Sequence, residues 1–383
     1  MLSPLLLAAA LVAVVRAILV PGPIGAFPVA MRTHELIDFS RVDPYASRNH
    51  TLLRRILVSV FLPLDPVQYA DAKVQQLPYM PPLTAAEYSR ITQIIAPSFK
   101  GVFEKLAIEY RRLETNDPGR EYATKKKSYP VVIFSPGLGA SRLMYSAGAR
   151  DLASQGYIVI TIDHPYDASI VEFPDGSVVR GVNFSTTAQI AVAAKVRVQD
   201  VVFLVNQLHD SDVQERLTEG FPGLVNVEKM AIYGHSLGGA TAAEALRKDS
   251  RLLGGMNWDG EMQEAAASHG LAQPFIQVGV PRHRYENNSN WPAFYEKLRG
   301  PKLELMLENT THISFTDLPL LLSTMEVPLE AQPSLEYFLG TVSGRRLRRT
   351  LTGILKASLE FLFERNVEGV RSLAEDYCGV TVF

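Results

Sequence analysis

Cysteine is almost absent from this chain: Cys378 is the only one in 383 residues. One thiol cannot close an intrachain disulfide, and it excludes CxxC-type metal or redox chemistry. Stability must come from a packed core. An excess of one charge sign is also missing. Lys plus Arg number 38 against 40 Asp plus Glu, a formal net charge of −2. No nucleic acid or other polyanion is implied as a partner. The N-terminal apolar run, residues 5–15, falls short of the ~20 residues that a membrane span takes. There is no internal repeat and no low-complexity tract. What is present is 47% hydrophobic and 20% charged residues, the make-up of a globular chain that can bury a large core.

The N-terminal run is Ala-rich and broken by Arg16. It suits the core of a signal peptide, with Val15-Arg16-Ala17 as an acceptable cleavage site, although no Lys or Arg precedes it. A short membrane anchor is the other reading. Residues 1–17 are expected to be a signal peptide of a secreted protein, and residues 18–383 one domain. Four N-x-[ST] sequons, at Asn49, Asn183, Asn287 and Asn309, agree with that route, although such triplets are common by chance.

Residues 34–39 and 53–62 are rich in β-branched and apolar side chains and read as an antiparallel pair at a sheet edge. A helical insertion, about residues 66–125, is expected next. Thr84 and Glu87 form a capping box, with Leu83 and Tyr88 as a hydrophobic staple. Ser98 can cap a second helix carrying Phe99, Val102, Phe103, Leu106, Tyr110 and Leu113 on one side. That stripe is read first as a core face and second as a contact for a lipid surface. Strand runs then alternate with helical segments. Residues 131–134 and 157–162 are strands, with a helix over 141–154 between them. A helix over 196–208 and strands at 252–256, 275–280 and 303–307 follow. Alternation of this kind predicts a parallel sheet with helices on both faces. Pro174-Asp175-Gly176 marks a hairpin. A last helix spans 345–365, its basic start read as a solvated turn.

The chemistry gathers at Gly234-His235-Ser236-Leu237-Gly238, a G-x-S-x-G pattern. Its left flank, residues 230–233, is apolar and strand-like. Its right flank, residues 237–246, is small and helix-forming. That context places Ser236 on a tight strand-to-helix turn, as an α/β-hydrolase nucleophile needs. Without its flanks the pattern would be an ordinary Gly-rich turn.

A serine hydroxyl needs a base, and the base needs an orienting carboxylate. In this fold the chain order is Ser, then acid, then His, which leaves His269, His283 and His312. His312 follows the last strand in a polar loop and is taken as the base. His269 and His283 are placed in polar, exposed loops. Asp259 ends the apolar run 254–258, where an acid at a strand's C-terminal end belongs. Alone it would be a turn residue; in order with Ser236 and His312 it is the acid. The Leu237 N–H opens the helix and can face an oxyanion. Ser135-Pro136-Gly137-Leu138-Gly139 follows strand 131–134 directly, so the Leu138 N–H is the second donor. No cofactor or metal enters this scheme.

These residues carry a resemblance to the single-chain platelet-activating-factor acetylhydrolases. The chain is similar to that family's Gly-His-Ser-Phe-Gly-Gly-Ala-Thr at 234–241, with Leu237 for Phe. Its Ser-His-Gly-Leu-Gly loop is matched at 135–139, with Pro136 for His. The interval from Ser236 to Asp259 agrees with the family, and His312, Phe315 and Asp317 resemble its His-x-x-Phe-x-Asp. The opening Pro21-Gly22-Pro23 and Asp163-His164 also fit. The resemblance implies a serine esterase acting on phospholipids with a short or oxidised sn-2 acyl chain. Residues 167–182 and 281–291 look individual to this chain, which leaves room for a cutinase-like or polyester esterase. A non-catalytic lipid-binding protein is a third reading, disfavoured by the complete triad.

Overall fold

The computed structural model describes residues 17–46, 52–94, 97–113, 126–286, 289–325 and 329–383. The apolar run 5–15, Asn49, Asn287 and residues 114–125 lie outside those residues.

Nine strands form the central sheet. In chain order they are β1 (Val29–Val42), β2 (Leu53–Pro63), β3 (Ser128–Ser135), β4 (Ile158–Asp163), β5 (Leu224–His235), β6 (Leu252–Trp258), β7 (Phe275–Gly279), β8 (Lys302–Leu307) and β9 (Val380–Val382). Their order in space is β9-β8-β7-β6-β5-β3-β4-β2-β1. The run from β8 to β4 is parallel, and β9, β2 and β1 join antiparallel. This is the expected α/β-hydrolase architecture, with the predicted edge pair in place.

Strand β3 shows why the sheet is central. Val132 and Phe134 enter one hydrophobic core, and Val131 and Ile133 enter the other. All four are fully buried, as period-two side chains are in a strand covered on both faces. Helices α2 (Ser146–Ala153) and α5 (Gly344–Glu364) cover the first face through Leu152, Ile354 and Leu359. Helices α3 (Thr187–Leu208) and α4 (Leu237–Lys248) cover the second through Val201, Leu204 and Ala243.

The predicted insertion differs. Helix α1 (Pro82–Thr92) starts two residues before Thr84, with Pro81 at the cap and no side-chain cap bond. Proline suits the first helical position because its missing N–H is not needed there. Thr84 is buried, and its N–H and hydroxyl donate to Glu172 (3.0 and 3.1 Å). The second helix does not form. Two 3-10 turns, Pro97–Phe99 and Phe103–Lys105, lead into a strand, Leu106–Arg111. Leu106, Ile108 and Tyr110 alternate and are buried, and that period of two outweighs the helical spacing of the preceding residues. This strand pairs with Ile18–Leu19 and Val74–Pro78 in a small separate sheet. The stripe is therefore a core face: Phe99, Val102, Phe103, Leu106 and Tyr110 all belong to the first core.

The hairpin around Pro174-Asp175-Gly176 is present, pairing Ile170–Glu172 with Val178–Arg180. At the basic start of α5, Arg345, Arg346 and Arg349 are exposed, as expected of a solvated turn, whereas Arg348 turns inward. Arg348 reaches the buried Asp151 (2.5 and 2.6 Å) and ties α5 to α2.

Candidate active site

Strand β5 ends at His235, and α4 begins at Leu237. Ser236 alone makes the turn, at φ 57° and ψ −124°. A non-glycine residue held there stores about 1–3 kcal/mol of strain. The flanking glycines admit no side chain. A Cβ on Gly234 would sit 2.2 Å from the Gly238 carbonyl oxygen, and one on Gly238 would sit 2.0 Å from that of Ser135. The Ser236 N–H donates to the Trp258 carbonyl (2.7 Å), fixing the turn to the end of β6.

Asp259 stands one residue past β6, and its N–H bonds to the Val278 carbonyl (2.8 Å). One carboxylate oxygen, Oδ1, accepts the Val280 N–H (2.8 Å). The other, Oδ2, lies 2.6 Å from His312 Nδ1. Burial alone would raise this carboxyl, but its contacts with His283 and His312 outweigh burial and hold it well below the usual carboxylate range. His312 opens the 3-10 turn His312–Phe315 after β8, and its side chain is 37% exposed.

Beneath His312 lies His235, ring centroids 4.5 Å apart. His235 is buried, and Tyr145 Oη is 2.8 Å from its Nδ1. Burial, aided by His312, pushes the His235 imidazole down to about 3. It is a neutral ring beneath His312. Asp259 and His312, predicted from separate stretches, are thus in contact, and Ser236 stands at the same C-terminal end of the parallel run, after β5 and beside β6.

The loop 135–139 crosses the same end of the sheet. Gly137 approaches Ser236 so closely that a Cβ there would lie 3.4 Å from that of Ser236. The Gly137 N–H donates to Tyr145 Oη (3.3 Å) and the Gly139 N–H to Asp167 (3.3 Å). The Leu138 N–H between them makes no protein hydrogen bond among the described residues. Leu138 and Leu237 pack in one small apolar cluster with Phe184, Ile190, Ala193 and Ala194.

Arg197 on α3, missed in the sequence, organises this loop. Its guanidinium donates to the carbonyls of Pro136 and Gly137 (the latter 3.0 Å) and pairs with Asp167 through Nε at 2.7 Å. With its side chain 1% exposed, it holds the Gly137 carbonyl inward, and the trans peptide then turns the Leu138 N–H the opposite way. Beside it, Ser135 Oγ, His164 and Asp200 form a second hydrogen-bonded row, all buried. Asp200 also binds Arg54 and Arg41. Burial would raise this carboxyl, but Arg54 and His164 outweigh burial and hold it well below its ordinary range. The signal for Arg197 and Asp200 was available. Arg197 falls four residues after Ala193 and four before Val201, on the buried face of α3, where a charge requires a partner.

The two rejected histidines divide. His269 is exposed at the end of helix Glu264–His269, as expected. His283 is not in an exposed loop: it is buried on the short helix Arg282–Tyr285, with Nε2 3.1 Å from Asp259 Oδ1. Apolar packing on Trp291, ring centroids 4.3 Å apart, draws in a segment whose composition is polar. Among the described residues no group of three or more His, Cys, Asp or Glu is placed to hold a metal ion. No described helix is long and apolar enough to cross a membrane.

Known proteins share this frame. Residues 45–175 and 194–334 match the family described as platelet-activating factor acetylhydrolase, isoform II. A probable 1-alkyl-2-acetylglycerophosphocholine esterase from Arthroderma benhamiae is 31% identical over 345 residues, covering 86% of this chain and 84% of that protein. A platelet-activating factor acetylhydrolase from Canis lupus familiaris is 28% identical over 217 residues, 50% of this chain and 49% of its own. A ferulic acid esterase from Streptomyces cinnamoneus superposes with a TM-score of 0.74 at 25% identity, over 95% of this chain and 99% of that one.

Proposed function

The chain belongs to the platelet-activating factor acetylhydrolase family and is an ester-hydrolysing enzyme; from that premise we propose that it cleaves the sn-2 ester of 1-alkyl-2-acetylglycerophosphocholine or of related phospholipids with short or oxidised acyl chains. The observation that carries the chemistry is the 2.6 Å contact of His312 Nδ1 with Asp259 Oδ2, set beside a strained serine at a strand-to-helix turn.

With Nδ1 committed to Asp259, Nε2 is the nitrogen left to take a proton from Ser236 Oγ. Oγ then bonds to the ester carbonyl carbon, and the carbonyl oxygen becomes an oxyanion between the Leu138 and Leu237 N–H groups. Collapse breaks the carbon–oxygen bond to the alcohol, which leaves with the proton from His312. Water repeats the sequence: His312 takes its proton, its oxygen joins the acyl carbon, and the acid departs as Ser236 recovers its hydrogen. Every proton is carried by His312, and no redox partner is required.

The apolar cluster of Leu138, Leu237, Phe184 and Ile190 borders the oxyanion donors and suits a small acyl group. A general carboxylesterase acting on aromatic or polyester substrates is the second reading, favoured by the likeness to the ferulic acid esterase over nearly the whole chain. The test is a rate series on glycerophosphocholines of increasing sn-2 length, a feruloyl ester and a polyester film, with Ser236→Ala as blank. A steep fall beyond short acyl chains supports the phospholipid reading; preference for the feruloyl ester or the film rejects it.

We also propose the secretory route. Asn183 is exposed, and Asn309, also exposed, lies three residues from His312. Peptide mapping of the expressed protein should find the N-terminus near Ile18 and a glycan on Asn49 or Asn183. Retention of residues 5–15 refutes cleavage.

A further inference from the structure

Asp259 serves two imidazoles. Oδ2 faces His312 Nδ1, and Oδ1 lies 3.1 Å from His283 Nε2. The other nitrogen of His283, Nδ1, lies 3.1 Å from Glu261 Oε1 and 3.2 Å from Ser289 Oγ. Four groups thus run in a row: Glu261, His283, Asp259, His312. A neutral imidazole presents a lone pair on one nitrogen: on Nε2 it would face Asp259, and on Nδ1 it would face Glu261 beside the Ser289 hydroxyl. The protonated ring presents N–H on both sides. The contact of Nε2 with Asp259 is electrostatic and not aligned as a hydrogen bond.

We propose that His283 is an imidazolium in the working enzyme and that, by sharing Asp259, it sets the pH at which His312 becomes a free base. His283 is a positioning residue: it acts on the reaction through Asp259. The inference rests on the triad proposed above.

The surroundings are built for this charge. The indole of Trp291 lies flat on the His283 ring, at 10° between planes and 4.3 Å between centroids, an arrangement that favours a cation over the π face. Trp291 is fixed by its own bond to the Gly260 carbonyl (2.8 Å). Gly279 makes the space, since a Cβ there would come within 2.6 Å of Trp291 and 2.9 Å of Asp259 Oδ1. Burial disfavours the charged ring, but Asp259 and then Glu261 more than compensate, and the imidazole is raised above its ordinary range. The charged groups facing it are Asp259 and Glu261 from the segment after β6. Arg282, on its own helix, lies 3.9 Å from Asp259 Oδ2. The helix Trp291–Lys297 presents only the indole. A cavity of about 430 Å³, lined by Glu261, Arg282, His283, Ser289 and Asn290, connects the pair to solvent protons.

The consequence has a definite sign. While His283 is positive, the charge of Asp259 is divided between two rings. Removing His283 leaves the whole carboxylate charge to His312, whose proton is then held to higher pH.

The experiment is the pH profile of kcat/KM on a water-soluble acetyl ester, for the full chain and for His283→Phe and His283→Asn. The acid limb is expected to move up by about one pH unit in both variants, with turnover largely recovered on the alkaline side. His283→Phe keeps a flat ring on Trp291. An unmoved acid limb overturns the proposal. A second readout needs no substitution. Nitrogen-15 NMR of the histidine rings in the unaltered chain, with His283 identified by its contact to Trp291, should show both nitrogens protonated at pH 7; a neutral ring overturns the proposal. His312→Ala separates this from failure of the triad. Retained turnover there removes the triad itself, whereas a dead His312→Ala with an unmoved His283→Phe profile rejects only the role of His283.

Discussion

Ser135 Oγ lies 3.0 Å from His164 Nε2, and His164 Nδ1 lies 2.9 Å from Asp200 Oδ2. The chain therefore holds a second row of serine, histidine and carboxylate at the start of the loop 135–139. Ser135 and Asp200 have no exposed surface and His164 has 1%. Desolvation lowers the His164 imidazole and is not fully offset by Asp200. No ester can reach Ser135, so the row is a brace for the loop that begins there. A fluorophosphonate probe should label Ser236 alone by peptide mass spectrometry. Labelling should persist in Ser135→Ala and vanish in Ser236→Ala. Adduct on Ser135 would reverse the assignment.

The loop's other brace is Arg197. Arg197→Lys keeps a cation near Asp167 but cannot hold the Pro136 and Gly137 carbonyls together, because the flat fork is lost. The Leu138 N–H then loses its aim. Turnover should fall by about 10²-fold, near the effect of losing one oxyanion donor, with KM changed far less. Steady-state kinetics of the folded variant check this; an unchanged kcat would detach Arg197 from the oxyanion hole.

Asp259→Asn removes the charge between the two histidines and leaves the backbone at ease. Asp259 sits at φ 53°, a left-handed conformation that Asn tolerates well. Asn can also hold the base in the wrong tautomer, which in a comparable triad lowers turnover by ~10⁴. Near-normal kcat in a well-folded Asp259→Asn protein would move the search to Glu261. It would not move to Asp317, which is buried and accepts from Tyr79 and the Ala147 and Gly148 N–H groups.

His235 gives a stability prediction. Its folded imidazole is depressed to about 3, whereas an unfolded histidine titrates near ~6.5. Between those values the unfolded chain binds a proton that the folded chain refuses. The contribution is full above the unfolded value and is lost as pH falls toward 3, by up to about 1.4 kcal/mol per pH unit. Urea unfolding of His235→Gln, from pH 7 down to 4, should show a shallower decline than the unaltered chain. Parallel declines would mean that His235 is protonated in the folded state.

Much of this arrangement was legible in the sequence for physical reasons. The inner parts of strands β3 and β5, residues 131–134 and 230–233, are fully buried and read as short apolar runs. Ser236 was marked by glycines that steric contact requires, and Asp259 and His312 by their place after strands. Leu106 to Arg111 was misread because its alternating residues follow a stretch with helical spacing. Strand β9 was missed since three residues carry no period. His283 was misplaced because polar neighbours predict exposure, whereas it packs on Trp291 at the far end of the same stretch and against Asp259 from the segment after β6. A contact with another strand's end leaves no local trace.

The parallel order of the sheet also governs when the enzyme becomes active during folding. Leu138, Ser236, Asp259 and His312 follow four different strands, and each parallel pairing must close a long stretch of chain before it gains anything. Contacts so distant in sequence form slowly. Helices such as α3 can gather early, but no local fragment contains a working set of groups. Return of turnover after denaturation will therefore trail the return of helical signal, making catalysis a clock for the final docking of β8 beside β7.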